Sequence, residues 1–191
     1  SSALLGVNIT RYVDSWMNNR GETSDATDLI ATLAAGIKEA SQACGFRPVI
    51  FATHPMDMEV ASQLSLLLKA PLISNTEYLS HDMQAVMQLC SLFLGMRFHS
   101  LVLSSAVGVP VVAIVYAPKV RGLMRDLNCP EYALDLTKLT PEFISVKLQQ
   151  AFSEIEVLRD KQQKAVAAFK LGATRAAELL TETLSHGAGR S

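Results

Sequence analysis

The stretch LFLGMRFHSLVLSSAVGVPVVAIVY, residues 92–116, decides the fold. It opens on Leu92 to Gly95, a short apolar run of strand type, and continues through Phe98 to Val107, a segment of helical period. It closes on Val109 to Tyr116, the most β-branched run in the chain. Strand, helix and strand in succession make one βα unit of a parallel sheet.

The same alternation extends outward on both sides. Upstream, Leu4 to Ile9 reads as a strand. Asp25 to Cys44 reads as a helix with Leu29, Ile30, Leu33, Ile37 and Ala40 on one face, and Gly45 sits where it ends. Val49 to Thr53 is the next strand, Asp57 to Lys69 the next helix, Pro71 to Ser74 a shorter strand and His81 to Cys90 a helix. Downstream, Lys119 to Leu127 is a short helix and Tyr132 to Leu136 a last strand. Thr140 is placed as an N-cap with Pro141 at the first helical position, and the chain then reads as helical to about Leu184, with a break at Gly172. The expected fold class is therefore α/β, a Rossmann-like doubly wound parallel sheet.

Composition bounds the function. The 191 residues are 49% hydrophobic, 6% aromatic and 18% charged, which excludes disorder and suits a domain with a sizeable core. Mean hydropathy is positive at +0.23, yet no apolar run approaches the ~20 residues of a spanning helix. Seventeen basic and 18 acidic residues leave a net charge of −1, so nucleic acid is not an expected partner and an anionic ligand must be met by locally placed cations. Cys44, Cys90 and Cys129 form no CxxC pair and have no histidine at metal-ligand spacing, which argues against a disulfide framework and a zinc site and favours a reducing cytoplasmic compartment. The chain opens at Ser1 and runs directly into an apolar strand, and it is read as a piece of a longer protein.

The candidate chemistry lies at the strand ends. No GxGxxG, GxxxxGK[ST] or GxSxG pattern is present. In a parallel α/β sheet the ligand crevice lies at the carboxyl ends of the strands, where helix N-termini present free N–H groups. Arg97 and His99 follow one strand end and Lys119 follows the next, so three potential cations converge on one rim. Arg97 can grip phosphate or carboxylate in bidentate fashion, Lys119 acts as a point charge and His99 can supply a proton near neutral pH. His54 and Asp57, after the second strand, share that rim and are possible acceptor contacts, although Asp57 also suits a helix N-cap. Asn8 and Glu77 are further rim candidates. Tyr12 and Trp16, after the first strand, either stack on a sugar or cover a core edge.

The string from Gly95 to Leu101, followed by Gly108-Val-Pro and by Tyr116-Ala-Pro118-Lys119-Val120, resembles the C-terminal half of the polysaccharide pyruvyl transferase family, whose pattern is G-x-R-[LF]-H, then G-V-P and Y-x-P-K-V. The resemblance implies one half of a glycosyltransferase-B-like two-domain enzyme. Such an enzyme moves the enolpyruvyl group of phosphoenolpyruvate onto a sugar of a cell-wall or exopolysaccharide precursor, forming a pyruvate ketal and releasing phosphate. By the same resemblance, Arg97 holds the donor's phosphate or carboxylate, with Phe98 as the apolar residue beside it. His99 is the general acid, Lys119 is the second donor-binding cation and Arg11 matches a further donor-binding arginine. No cofactor or metal is implied.

The expected partners are phosphoenolpyruvate and a lipid-linked or polymeric saccharide, the latter met in the cytoplasm or at the inner face of the membrane with at most peripheral contact. On this reading residues 1–191 are a C-terminal donor-binding domain, with residues 141–185 as its helical C-terminal segment and the N-terminal domain absent. The apolar positions Phe169, Ala176, Leu180 and Leu184 are the surface expected to cross onto that other half. Two other functions fit the same residues: a nucleotide-sugar glycosyltransferase of the same architecture, and a non-catalytic α/β module that binds an anion or a partner.

Overall fold

The computed structural model describes residues 2–11 and 26–187. Tyr12 and Trp16 lie outside the described residues. Six parallel strands form one sheet: β1 (Leu4–Asn8), β2 (Arg47–Ala52), β3 (Leu72–Ser74), β4 (Leu92–Gly95), β5 (Val111–Val115) and β6 (Ala133–Asp135). Their order across the sheet is β3-β2-β1-β4-β5-β6. Between them run α1 (Ala26–Cys44), α2 (Met58–Leu68), α3 (Ser80–Met87), α4 (Phe98–Ala106) and α5 (Pro118–Asp126). The helices α6 (Pro141–Ser153) and α7 (Ile155–Gly187) close the chain. Right-handed crossovers put α1 and α2 on one face and α4 and α5 on the other. The sheet is covered on both faces, which is why β5 is an unbroken apolar run with every residue buried.

The chain leaves β1 toward β2 and later returns to place β4 on its other side, with Leu5 opposite both Pro48 and Leu92. This reversal between β1 and β4 is the topological switch point, where the crevice outside the strand ends opens. Close backbone approach builds the centre of the sheet. A Cβ at Gly6 would collide with the Phe93 ring, which itself packs on Phe51 at 5.6 Å between centroids. Gly45 (φ +71) and Gly108 (φ +84) take left-handed turns after α1 and α4 at little steric cost.

Four strands, β1, β3, β5 and β6, are shorter than their apolar patterns suggest, whereas β4 matches its pattern and β2 starts earlier, at Arg47. Val109 and Pro110 precede β5 as an approach segment whose Pro110 carbonyl accepts from the Phe93 amide at 2.9 Å. The C-terminal helical segment is broken at Glu154, not at Gly172. Gly172 lies inside α7 with no atom within 4 Å of where its Cβ would stand, so nothing there requires glycine and the helix runs through it. The turn at Glu154 follows from docking. Gly36 lets α1 meet α6 closely, with the Pro141 carbonyl and Ile144 at contact distance, whereas α7 sets out toward α4. Gln162 anchors α7 by accepting from the Val111 amide and donating to the Val111 carbonyl, both at 2.9 Å.

Candidate active site at the topological switch point

Residues at and just beyond the carboxyl ends of β1, β2 and β4 meet in one buried polar knot. Asn8 ends β1. Its side-chain amide donates to the Phe51 carbonyl of β2 at 2.8 Å, while its Oδ1 accepts from the Arg97 backbone amide at 3.0 Å and from the Ser100 hydroxyl at 2.8 Å. One side chain thus ties two strands to the first turn of α4. Ser100 Oγ also lies 2.7 Å from the Arg97 carbonyl.

Asp57 and Arg97 form the charged part of the knot. Arg97 Nε donates to Asp57 Oδ2 at 2.6 Å and its Nη2 donates to Oδ1 at 2.7 Å, a bidentate pair of the strongest geometry. The same Oδ1 accepts from the Thr10 hydroxyl at 3.0 Å and from the Arg11 amide at 3.2 Å, and Arg97 Nη2 also reaches Thr10 Oγ1 at 3.2 Å. The Asp57 side chain is 0% exposed and that of Arg97 11%, so each charge stays out of water only because the other is present. Asp57 stands just before α2, in the N-cap position, yet its carboxylate makes no cap bond and is spent on Arg97.

A short 3-10 turn, Pro55–Asp57, carries Asp57 back toward the sheet. His54 caps that turn, its Nδ1 accepting from the Met56 amide at 3.2 Å. That bond leaves the Nε2 edge of the half-buried imidazole for other partners.

His99 and Lys119 occupy equivalent positions on neighbouring units. Each is the second residue of a helix, α4 and α5, and each is exposed. The two helices leave the adjacent parallel strands β4 and β5 at the same edge of the sheet. Both side chains therefore leave the first turn of a helix, where backbone N–H groups lack intrahelical partners, on one rim. Phe98 is half-buried and meets the His99 ring edge to face at 5.9 Å between centroids.

Beside Lys119 a cleft of about 410 Å³ opens at the ends of β5 and β6, lined by residues 115–118 and by Arg121, Arg125 and Asp135. Asp135 Oδ2 accepts from Arg121 at 3.0 Å and its Oδ1 accepts from both the amide and the hydroxyl of Thr137. The Thr137 bonds first, and Arg121 after them, hold the Asp135 carboxyl below its ordinary value.

The structure thus brings Arg97 and Asp57 into direct contact and places His99 and Lys119 on one rim. Arg11 is exposed, and only its amide enters the knot. Glu77 is exposed beyond β3 and takes no part in it. Thr10 and Ser100 escaped the sequence reading. Their available signal is position: Thr10 lies just past β1 and Ser100 in the first turn of α4, where polar groups drawn into the interior must find partners. Among the described residues no cluster of His, Cys, Asp and Glu is arranged to hold a metal ion, and no helix is long and apolar enough to cross a membrane.

A doubly wound α/β domain binds its ligands in the crevice outside the strand ends at the switch point, where this polar knot and rim lie. The model of the polysaccharide pyruvyl transferase family matches residues 10–118, and the chain belongs to that family. The matched span runs from Thr10 through Asp57, Arg97 and His99 to the residue before Lys119. The amylovoran biosynthesis protein AmsJ of Erwinia amylovora is 35% identical over 77 residues, which are 40% of this chain and 19% of that protein. Among solved structures, that of EarP, which mediates arginine glycosylation of translation elongation factor EF-P, superposes with a TM-score of 0.57 at 11% identity. That match covers 95% of this chain and 61% of EarP, and it is a likeness of fold. The chain therefore spans about a fifth of the curated relative and three fifths of the structural one.

Proposed function

We propose that this chain is the donor-binding half of a ketal pyruvyl transferase, acting with phosphoenolpyruvate on a saccharide of a cell-wall or exopolysaccharide precursor. The observation that carries the proposal is the pairing of His99 and Lys119, each second in a helix leaving adjacent strands, in a chain of this family. Phosphoenolpyruvate carries a phosphate and a carboxylate on one small carbon frame. Lys119 and the helix N–H groups meet those charges, and Arg97 adds a guanidinium that the donor shares with Asp57. His99 then delivers a proton to C3 of the donor, which makes C2 electrophilic. One sugar hydroxyl adds at C2, phosphate departs, and a second hydroxyl closes the ketal. Of the two hydroxyl protons released, one replaces that given by His99 and one leaves with phosphate.

The other wall of the cleft is assigned to a second domain. The face of α7 that is buried at Leu158, Gln162 and Ala165 continues into exposed Phe169, Ala176 and Leu180, an apolar stripe suited to rest on such a domain; the Leu184 side chain lies outside the described residues. The test is transfer by the full-length enzyme, followed as phosphate release and as mass gained by a lipid-linked saccharide. His99→Ala abolishes transfer while phosphoenolpyruvate binding, measured by calorimetry, stays within about threefold. Turnover by His99→Ala at the wild-type rate overturns the assignment.

A further inference from the structure

We infer that Asn8 is the positioning residue for His99, fixing through Arg97 and Ser100 the turn from which that imidazole leaves the chain. The role of His99 as proton donor rests on the function proposed above; the brace rests on the hydrogen bonds of the buried knot alone.

Asn8 is the last residue of β1, 1% exposed and paired across the sheet with Gly95, the last residue of β4. From that place it holds three residues of the strand-to-helix turn. Its backbone carbonyl accepts from the Met96 amide at 3.2 Å, and its Oδ1 accepts from the Arg97 amide at 3.0 Å and from the Ser100 hydroxyl at 2.8 Å. Arg97 and Ser100 bracket Phe98 and His99, so one carboxamide oxygen closes a loop around the backbone of His99. Arg97, the N-cap of α4, makes no side-chain cap bond, because its guanidinium is committed to Asp57 and a cation offers no acceptor. The turn is tied down from the neighbouring strand instead.

Groups on its two sides dictate the residue type. The Phe51 carbonyl, 2.8 Å from Asn8 Nδ2, needs a donor, while the Arg97 amide needs an acceptor. A carboxamide supplies one of each in a fixed plane. Turned over, it would set oxygen against the Phe51 carbonyl and N–H against the Arg97 N–H, so the same bonds lock its orientation. Aspartate has the acceptor without the donor, and its charge would lie buried against a carbonyl oxygen. Through this lock the sheet, with β2 on one side of Asn8 and β4 on the other, sets where the His99 backbone stands. A general acid must come within hydrogen-bond reach of the atom it protonates, and a misplacement of about 1 Å costs about a hundredfold in rate. Loss of the brace therefore falls on kcat. Donor affinity is held also by Lys119 on α5, a helix outside the brace.

The test compares Ser100→Ala, Asn8→Asp and Gly36→Ala in the full-length enzyme. Ser100→Ala is mild, because Asn8 Oδ1 keeps the Arg97 amide and the Arg97 carbonyl keeps the Leu101 amide at 3.2 Å. Gly36→Ala is the control for lost stability, since it strains the contact of α1 with α6 outside the knot. Phosphate release from phosphoenolpyruvate is followed in H2O and D2O, and hydrogen exchange of residues 96–101 is read by mass spectrometry. In Ser100→Ala and Asn8→Asp, kcat is expected to fall about tenfold or more while KM for phosphoenolpyruvate stays within about threefold. The solvent isotope effect on kcat rises as proton transfer from His99 becomes the slow step, and residues 96–101 exchange faster. Gly36→Ala keeps the wild-type kcat and isotope effect. Wild-type kcat in both knot variants, or an equal loss in Gly36→Ala, overturns the positioning role. A wild-type enzyme that releases no phosphate from phosphoenolpyruvate overturns the pyruvyl transfer reading; faster exchange in the knot variants then leaves the brace standing, and unchanged exchange overturns it as well.

Discussion

Removing the Asp57 carboxylate strands a buried guanidinium, and the structure sets the size of the penalty. Asp57 and Arg97 meet through two charge-assisted bonds of 2.6 and 2.7 Å, and their side chains are 0% and 11% exposed, so solvent screens them little. At an effective dielectric of about 20, opposite charges about 4 Å apart attract by about 4 kcal/mol. Breaking a buried pair from one side costs about 3–5 kcal/mol, because the survivor keeps its desolvation penalty. Asp57→Ala is therefore expected to lose about 3–5 kcal/mol, a large part of the roughly 5–15 kcal/mol that holds a domain folded. At roughly 2–4 °C per kcal/mol for a domain of this size, the melting temperature falls by about 6–20 °C. The assay is urea unfolding at pH 7 followed by far-ultraviolet circular dichroism. Asp57→Leu combined with Arg97→Met removes both charges and is expected to recover most of the loss, although Thr10 then lacks its acceptor. A cost below about 1 kcal/mol for Asp57→Ala, the range of exposed pairs, refutes the reasoning. So does a double variant no more stable than the single one.

Further outcomes follow from packing and from thiol burial. Gly36→Ala pushes a methyl group against the Pro141 carbonyl at 2.7 Å and Ile144 Cβ at 2.8 Å and is expected to cost about 1–3 kcal/mol. Gly172→Ala enters open space in an exposed helix and is expected to add about 0.5–1 kcal/mol; equal effects in chemical denaturation would contradict both placements. Burial pushes the Cys90 thiol up to about 12 and that of Cys129 to about 11. Both thiols are held protonated in the folded state, so their contribution is complete below pH 9 and is lost as the pH rises from 9 toward 11–12. Denaturation midpoints that stay flat from pH 9 to 11 would show that these thiols are not buried as described. Thiol reagents at pH 8 are accordingly expected to label half-buried Cys44 ahead of the other two.

Much of the fold was legible because its signal is local. An apolar run of four to five residues followed by a helical period is repeated along the chain, and a strand buried on both faces leaves that imprint on residues that are neighbours in sequence. The bounds of β4 coincide with the expected Leu92 to Gly95. The break at Gly172 misled because glycine weakens a helix only slightly, by about 1 kcal/mol, and does not end one unless the backbone turns there. The actual turn at Glu154 reflects the docking of α6 on α1, a contact between segments about a hundred residues apart that no local pattern carries.

The candidate site divides along the same line. Sequence by itself determined the βα order, the helix start that carries His99, the helix that carries Lys119 to within one residue of its start at Pro118, and the family, since motif residues lie within one strand–helix junction each. Tertiary structure alone decided that the Arg97 guanidinium faces Asp57, that Asn8 and Ser100 brace the turn before His99, and that Thr10 shares the Asp57 carboxylate with the Arg11 amide. These partners stand 40 to 92 residues apart in the chain. Their meeting depends on the strand order β2-β1-β4, which brings three loops to one point, and on the rule that a charge removed from water must find its counter-charge there.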